Sequence, residues 1–266
     1  MRNNVKTYLT VILLTLLSAC DVAILRDDLS YGYDYGTSQS IGGSLASFTI
    51  SGNYLYTISQ GQLLSYDISA PKNAITVSQA YVKDASGYPL NNLETIFPYE
   101  DYLCLGATDG MYIIDVSDPA EPQYVSQYAH VNSCDPVVVQ DSLAYVTMRD
   151  GNQCGQSVNE LHVIDISEVY APKALATYTM ENPYGLGIDG DILFICDNDK
   201  LKVFDANDPE NISLVEVFDG LSATDVIPFD TVLIVLGNGE LNQFSYTPGD
   251  TADQGSLSLL STIAKQ

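Results

Sequence analysis

One short phrase recurs through this chain, and any fold must accommodate the recurrence. Met111–Pro119, MYIIDVSDP, reads as a short apolar strand that ends in Asp115 and turns at Ser117-Asp118-Pro119. Aligned on the strand-end Asp, the phrase returns at Leu63–Ser69 (LLSYDIS), Leu161–Ser167 (LHVIDIS) and Leu201–Asn207 (LKVFDAN). Leu241–Tyr246 (LNQFSY) is a degenerate copy that puts Ser245 where the Asp belongs. The copies are spaced by 48, 50, 40 and 40 residues. One propeller blade per repeat accounts for that range.

Each unit divides into four runs of alternating apolar residues, the period of a strand. The predicted strands of the first unit are Leu45–Ser51, Tyr54–Ser59, Gln62–Ile68 and Ala74–Val82, and the third unit opens with Asp135–Val139. Turn signals separate first from second strands at Ser51-Gly52-Asn53, Glu100-Asp101, Gln140-Asp141, Asp189-Gly190-Asp191 and Phe229-Asp230. The expected fold is all-β: a five-bladed β-propeller of four-stranded antiparallel blades, with the first strand of each at the centre. First and last units each read as complete, so no strand is borrowed across the closure. Four blades would leave strands unassigned, and a sixth would need material the chain lacks.

Composition agrees. The 266 residues are 46% hydrophobic and 17% charged, enough for a core, with 19 Tyr and no Trp. Ten Lys and Arg face 34 Asp and Glu, a net charge of −24. Such a surface repels phosphates, which excludes a nucleic-acid role. It suits solubility first, then divalent cations or basic partners.

The amino terminus reads as an address. Arg2 and Lys6 precede the apolar run Tyr8–Leu17, which is too short to span a bilayer. Leu17-Ser18-Ala19-Cys20 follows and resembles the lipobox of bacterial lipoproteins. The resemblance implies removal of residues 1–19 and lipidation of Cys20, which would anchor the chain to a membrane without a transmembrane helix. An ordinary secretory signal cleaved near Cys20 is the competing reading. Residues 20–43 read as a flexible tether, and residues 44–266 as the propeller. The expected location is the bacterial cell envelope, lipid-anchored and most simply at the outer membrane.

A carboxylate at the end of the third strand accepts backbone N–H groups of the following turn, so Asp67, Asp115, Asp165 and Asp205 are expected to build turns rather than do chemistry. The pattern resembles the LVIVD-repeat family, on the strength of YIIDVSDP, LHVIDIS and LKVFDANDP, with LLSYDISAP a partial and NQFSYT a poor match. The resemblance covers about residues 44–246 and implies an envelope β-propeller, often a lipoprotein, with no defined activity.

Cys104 and Cys196 fall at apolar positions of second strands and read as small buried thiols. Cys134 stands at the start of the third unit and Cys154 in its loop between second and third strands. Strand direction alternates within a blade, so both lie on one face, and an exported chain meets an oxidising compartment. A Cys134–Cys154 disulfide is expected, contributing ~3 kcal/mol in the chain-entropy model. A metal site there is the competing reading, but no paired Cys or His spacing supports one.

That same face carries the connections between units. Asn92, Asn132 and Asn182 share one register, nine residues before Asp101, Asp141 and Asp191, and Ser44 and Ser222 complete it. Turns between blades are one reading of this register, and ligand contact the other. Glu94, Asp135, Tyr184 and Asp225 do not repeat and stand near central strands, where propeller ligands bind. Arg149 lies at the start of the loop between the cysteines. Asp197-Asn198-Asp199 lacks the remaining ligands of a calcium loop and reads as a tight turn. No catalytic, cofactor or metal signature is present. The first functional reading is a non-enzymatic binding or scaffolding module for an envelope protein or glycan. The alternative is a glycan- or lactone-directed hydrolase or lyase with Glu94 and Asp135 as acid and base.

Overall fold

A computed structural model describes residues 43–70, 72–90, 92–130, 136–150, 158–249 and 257–264. It is a five-bladed propeller built of four-stranded antiparallel sheets arranged in a ring. Blade one is β1 (Phe48–Ser51), β2 (Tyr54–Ser59), β3 (Gln62–Asp67) and β4 (Ile75–Ala80). Blade two is β5 (Leu93–Tyr99), β6 (Tyr102–Ala107), β7 (Gly110–Asp115) and β8 (Gln123–Ala129). Blade three is β9 (Val137–Gln140), β10 (Leu143–Met148), β11 (Glu160–Asp165) and β12 (Lys173–Thr179). Blade four is β13 (Pro183–Asp189), β14 (Ile192–Asp197), β15 (Lys200–Asp205) and β16 (Ser213–Phe218). Blade five is β17 (Ala223–Phe229), β18 (Val232–Gly237), β19 (Glu240–Ser245) and β20 (Ser258–Ala264). Each sheet runs in chain order, so no strand is exchanged between the first blade and the last.

The turns explain why the chain reverses where it does. The first residue of each hairpin between first and second strands has left-handed φ: Gly52 at 56°, Glu100 at 51°, Asp141 at 52°, Gly190 at 57° and Asp230 at 53°. Between second and third strands, Asn198-Asp199 (53° and 64°) and Asn238-Gly239 (53° and 73°) place both turn residues there, the geometry of a two-residue type I′ loop. The Asp197-Asn198-Asp199 stretch is therefore a hairpin. After the third strand, Asp67, Asp115 and Asp165 accept the N–H of Ser69, Ser117 and Ser167 at 2.8 Å, and Asp205 that of Asn207 at 3.0 Å. The repeated Asp is a turn builder. In the fifth copy the Ser245 hydroxyl donates instead to the Ser258 carbonyl, at 3.4 Å.

Apolar side chains of adjacent blades interdigitate in three clusters: one between blades one and two, one across blades two, three and four, and one between blades four and five. Burial pushes the Cys104 thiol up to about 12 and raises that of Cys196; both are free and buried, as small apolar fillers. Two first strands begin later than expected. β1 begins at Phe48 rather than Leu45, because the Ala46 carbonyl is taken by the N–H of Ile96 in blade two at 2.9 Å. β9 begins at Val137, and Asp135 lies outside the described residues.

The expected leader (1–19) and tether (20–43) also lie outside the described residues, apart from Gly43. Cys20, Asn132, Cys134 and Cys154 do too, so the disulfide remains an expectation. Among the described residues no helix is long and apolar enough to cross a membrane.

Candidate functional site

The first strands start on the face that also carries the loops between second and third strands, and irregularities of pairing cluster there. In β5 the pairing with β6 shifts between Leu93 and Thr95, which leaves Glu94 as an extra residue. In β13 the pairing with β14 shifts between Pro183 and Leu186, across Tyr184 and Gly185. In β17 it shifts between Ala223 and Asp225. A bulge re-aims the side chain it carries.

Two of these bulged residues line one pocket of about 200 Å³, together with Leu45, Thr95, Pro136, Arg149 and Pro183. Blades one to four all contribute to its wall. The Arg149 guanidinium carbon lies 3.9 Å from the centre of the Tyr184 ring, a cation–π contact worth ~0.5–2 kcal/mol. The Thr147 hydroxyl donates to the Tyr184 carbonyl at 2.6 Å and fixes the backbone beneath that ring. Cation, carboxylate and aromatic ring thus meet in one cavity, an arrangement suited to orienting a polar group.

Asp225 does not line the pocket, but lies beside it in the fold. Its Oδ1 accepts the Ser44 hydroxyl at 3.1 Å and the Val226 N–H at 3.0 Å, while Ser44 Oγ accepts the Leu186 N–H at 2.8 Å. Ser44 and Leu186 adjoin, or stand within two residues of, the lining residues Leu45 and Tyr184. Burial pushes the Asp225 carboxyl up to about 6, against the pull of the two hydrogen bonds. Gly43 and Gly185 pack so closely on this carboxylate that a Cβ on either would collide with it.

The other described members of the Asn and Ser register take up turn geometry and local hydrogen bonds. Asn92 is exposed, has φ of 55° and donates from Nδ2 to the Thr108 hydroxyl at 3.2 Å; Ser222 has φ of 43°. The Asn182 N–H donates to Asp197 Oδ1 at 2.6 Å. Neither Asn92 nor Asn182 lines the pocket, so of the described candidates Glu94, Arg149 and Tyr184 converge there and Asp225 adjoins it. Asn132 and Asp135 lie outside the described residues.

Two polar clusters on this face escaped sequence reasoning. Fully buried Asp197 accepts Lys202 Nζ at 2.8 Å, and Lys202 also reaches Glu181 at 2.8 Å. Burial pulls the Lys202 pKa down, but its two carboxylate partners outweigh this and raise it. The signal was available: Lys202 sits where the other third strands carry Leu64, Tyr112, His162 and Asn242. The second cluster gathers both histidines of the chain. His162 Nδ1 meets the Tyr128 hydroxyl at 3.0 Å, its Nε2 meets Glu160 at 2.9 Å, and the His130 ring centre lies 6.5 Å from that of His162. Among the described residues no group of His, Cys, Asp and Glu forms a metal-holding set.

The LVIVD repeat matches residues 42–81 and 95–130, which span blades one and two. The chain is an LVIVD-repeat β-propeller. No curated protein matches the propeller. Among solved structures it is similar to a functionally unknown protein from Desulfotomaculum acetoxidans, with a TM-score of 0.61 and 10% identity over 85% of this chain and 70% of that one. It is also similar to a protein from Lactobacillus plantarum, with a TM-score of 0.58 and 13% identity over 80% and 68%. A periplasmic gluconolactonase from Pseudomonas aeruginosa gives a TM-score of 0.56 and 14% identity over 80% and 67%. At these identities the likeness is one of fold.

Proposed function

We propose that the propeller is a non-enzymatic binding module of the bacterial cell envelope, lipid-anchored through Cys20, whose mouth pocket takes one terminal group of a glycan. The observation that carries the reading is the convergence of Glu94, Arg149 and Tyr184 on a single cavity. At about 200 Å³ the cavity is smaller than the ~300–1,000 Å³ of sites for drug-sized ligands, so it suits a single sugar residue rather than a long segment. A carboxylate and a guanidinium supply acceptors and donors for hydroxyl groups, and the ring supplies an apolar floor.

The test is calorimetric titration of envelope-derived oligosaccharides into the full chain. Arg149→Ala and Glu94→Gln should each weaken the best ligand at least tenfold while leaving the melting temperature within a few degrees. Affinities unmoved by both substitutions would remove the pocket from the reading.

A second reading is a hydrolase or lyase acting on a glycan or lactone, with Glu94 as its acid or base. The placement of Glu94 in a walled cavity favours it. Under that reading Glu94→Gln abolishes turnover and keeps binding, whereas turnover that survives the substitution rules the role out.

A further inference from the structure

Repetition allows each junction between blades to be compared residue for residue. Phe48, Ile96, Val137, Leu186 and Val226 share one register, three residues before the end of each first strand. Their exposures are 59%, 2%, 0%, 0% and 1%. The later strands agree. Leu103, Ala144, Leu193 and Leu233 are buried where Leu55 is half-exposed, and Leu63, Met111, Leu161 and Leu201 are buried where Leu241 is half-exposed. So, among the described residues, nothing covers the leading face of blade one or the trailing face of blade five.

Among the described residues no hydrophobic cluster joins these two blades, and no strand crosses between their sheets. At the hub, Ser44 already ties blade one to Asp225 of blade five at 3.1 Å, and the outer parts of the seam stay open with that tie in place. Phe48, Ile50, Phe229 and Leu236, which stand on the two facing sides of the seam, are all exposed.

We infer that this seam is an interface between two copies of the chain, blade one of one copy packing on blade five of the other. The two open faces are the two halves of a junction that this sequence builds four times internally. The surface that fits blade one is the trailing face of an LVIVD blade, and a second copy carries that face uncovered. Charge supports a partner of this kind. The chain carries a net charge of −24, yet the seam positions Phe48, Ile50, Leu55, Ile227, Phe229 and Leu236 are all uncharged, so two acidic copies approach there with least repulsion. Added salt screens the remaining repulsion and tightens the pair.

The experiment is disulfide trapping in intact cells that express two differently tagged full chains. Ile50→Cys in one copy and Leu236→Cys in the other should yield a mixed, reducible species that carries both tags. Phe48→Cys with Leu241→Cys is the independent second pair. Val217→Cys, exposed on blade four, replaces the blade-five cysteine as the control and should give none. Absence of both mixed species overturns the inference. So does an intrachain bond in the double variant of a single chain, which would mean that the seam closes on itself.

Discussion

Asp225 is a carboxylate that the fold holds away from water. It is 6% exposed, walled by Gly43 and Gly185, and its pKa rises from 3.8 to about 6. A carboxyl that titrates higher in the folded than in the unfolded chain favours the fold while it is protonated. The contribution is full below about 4 and disappears as pH rises through about 6. The 3.8-to-6 shift corresponds to ~3 kcal/mol at most. Asp225→Asn keeps an acceptor for Ser44 and cannot ionise. In urea titrations it should match the parent near pH 4 and exceed it by ~1–3 kcal/mol at pH 7.5. Equal stability at both pH values would mean that burial of the charge is compensated. Gly185→Ala tests the packing: a Cβ there meets the Asp225 carboxylate and the Thr224 carbonyl, and should cost ~1–3 kcal/mol. Sequence marked Asp225 as a residue that does not repeat, but not its role. The partners that define it lie 181 and 142 residues apart in the chain, as Ser44 to Asp225 and Ser44 to Leu186.

At the scale of elements, strands and turns were legible because their causes are local. Period-two alternation marks the strands, and the strand-end Asp marks its own turn through a bond two residues on. Asp115→Ala should therefore destabilise by ~0.5–1.5 kcal/mol in chemical denaturation and leave ligand affinity untouched. The bulges were not legible. The pairing of third with fourth strands slips at one repeated point in all five blades: after Ser65, Ile113, Val163, Val203 and Gln243. The residues left over opposite are Val77, Val125, Leu175, Val215 and Leu260, all apolar, so a surplus residue looks like one more strand position. The bulges that deliver Glu94 and Tyr184 to the pocket are hidden in the same way. Their presence depends on which residue of the neighbouring strand is opposite, and a single strand does not encode that.

Across the whole molecule, the repeat segregates two kinds of surface. Hairpins between first and second strands and turns after third strands share one face, and they carry Asp101, Asp115, Asp118, Asp141, Asp165, Asp191, Asp205 and Asp230. The pocket with Arg149 opens on the other. The proposed lipid anchor belongs to the scale of the entire chain and has its own test. Cys20→Ser should move the protein from the membrane to the soluble fraction and abolish incorporation of labelled fatty acid, and retention on the membrane would dismiss the lipid anchor.

The Ser44 tie has a consequence for biosynthesis. Both of its partners belong to the last two blades, so Ser44 cannot be locked until the chain through Asp225 has left the ribosome. Blades two and three can gather their shared cluster from local pairings meanwhile. Stopping synthesis before residue 225 should leave an ordered middle with an unlocked beginning, which pulsed proteolysis of arrested chains would reveal as early cleavage near residue 44.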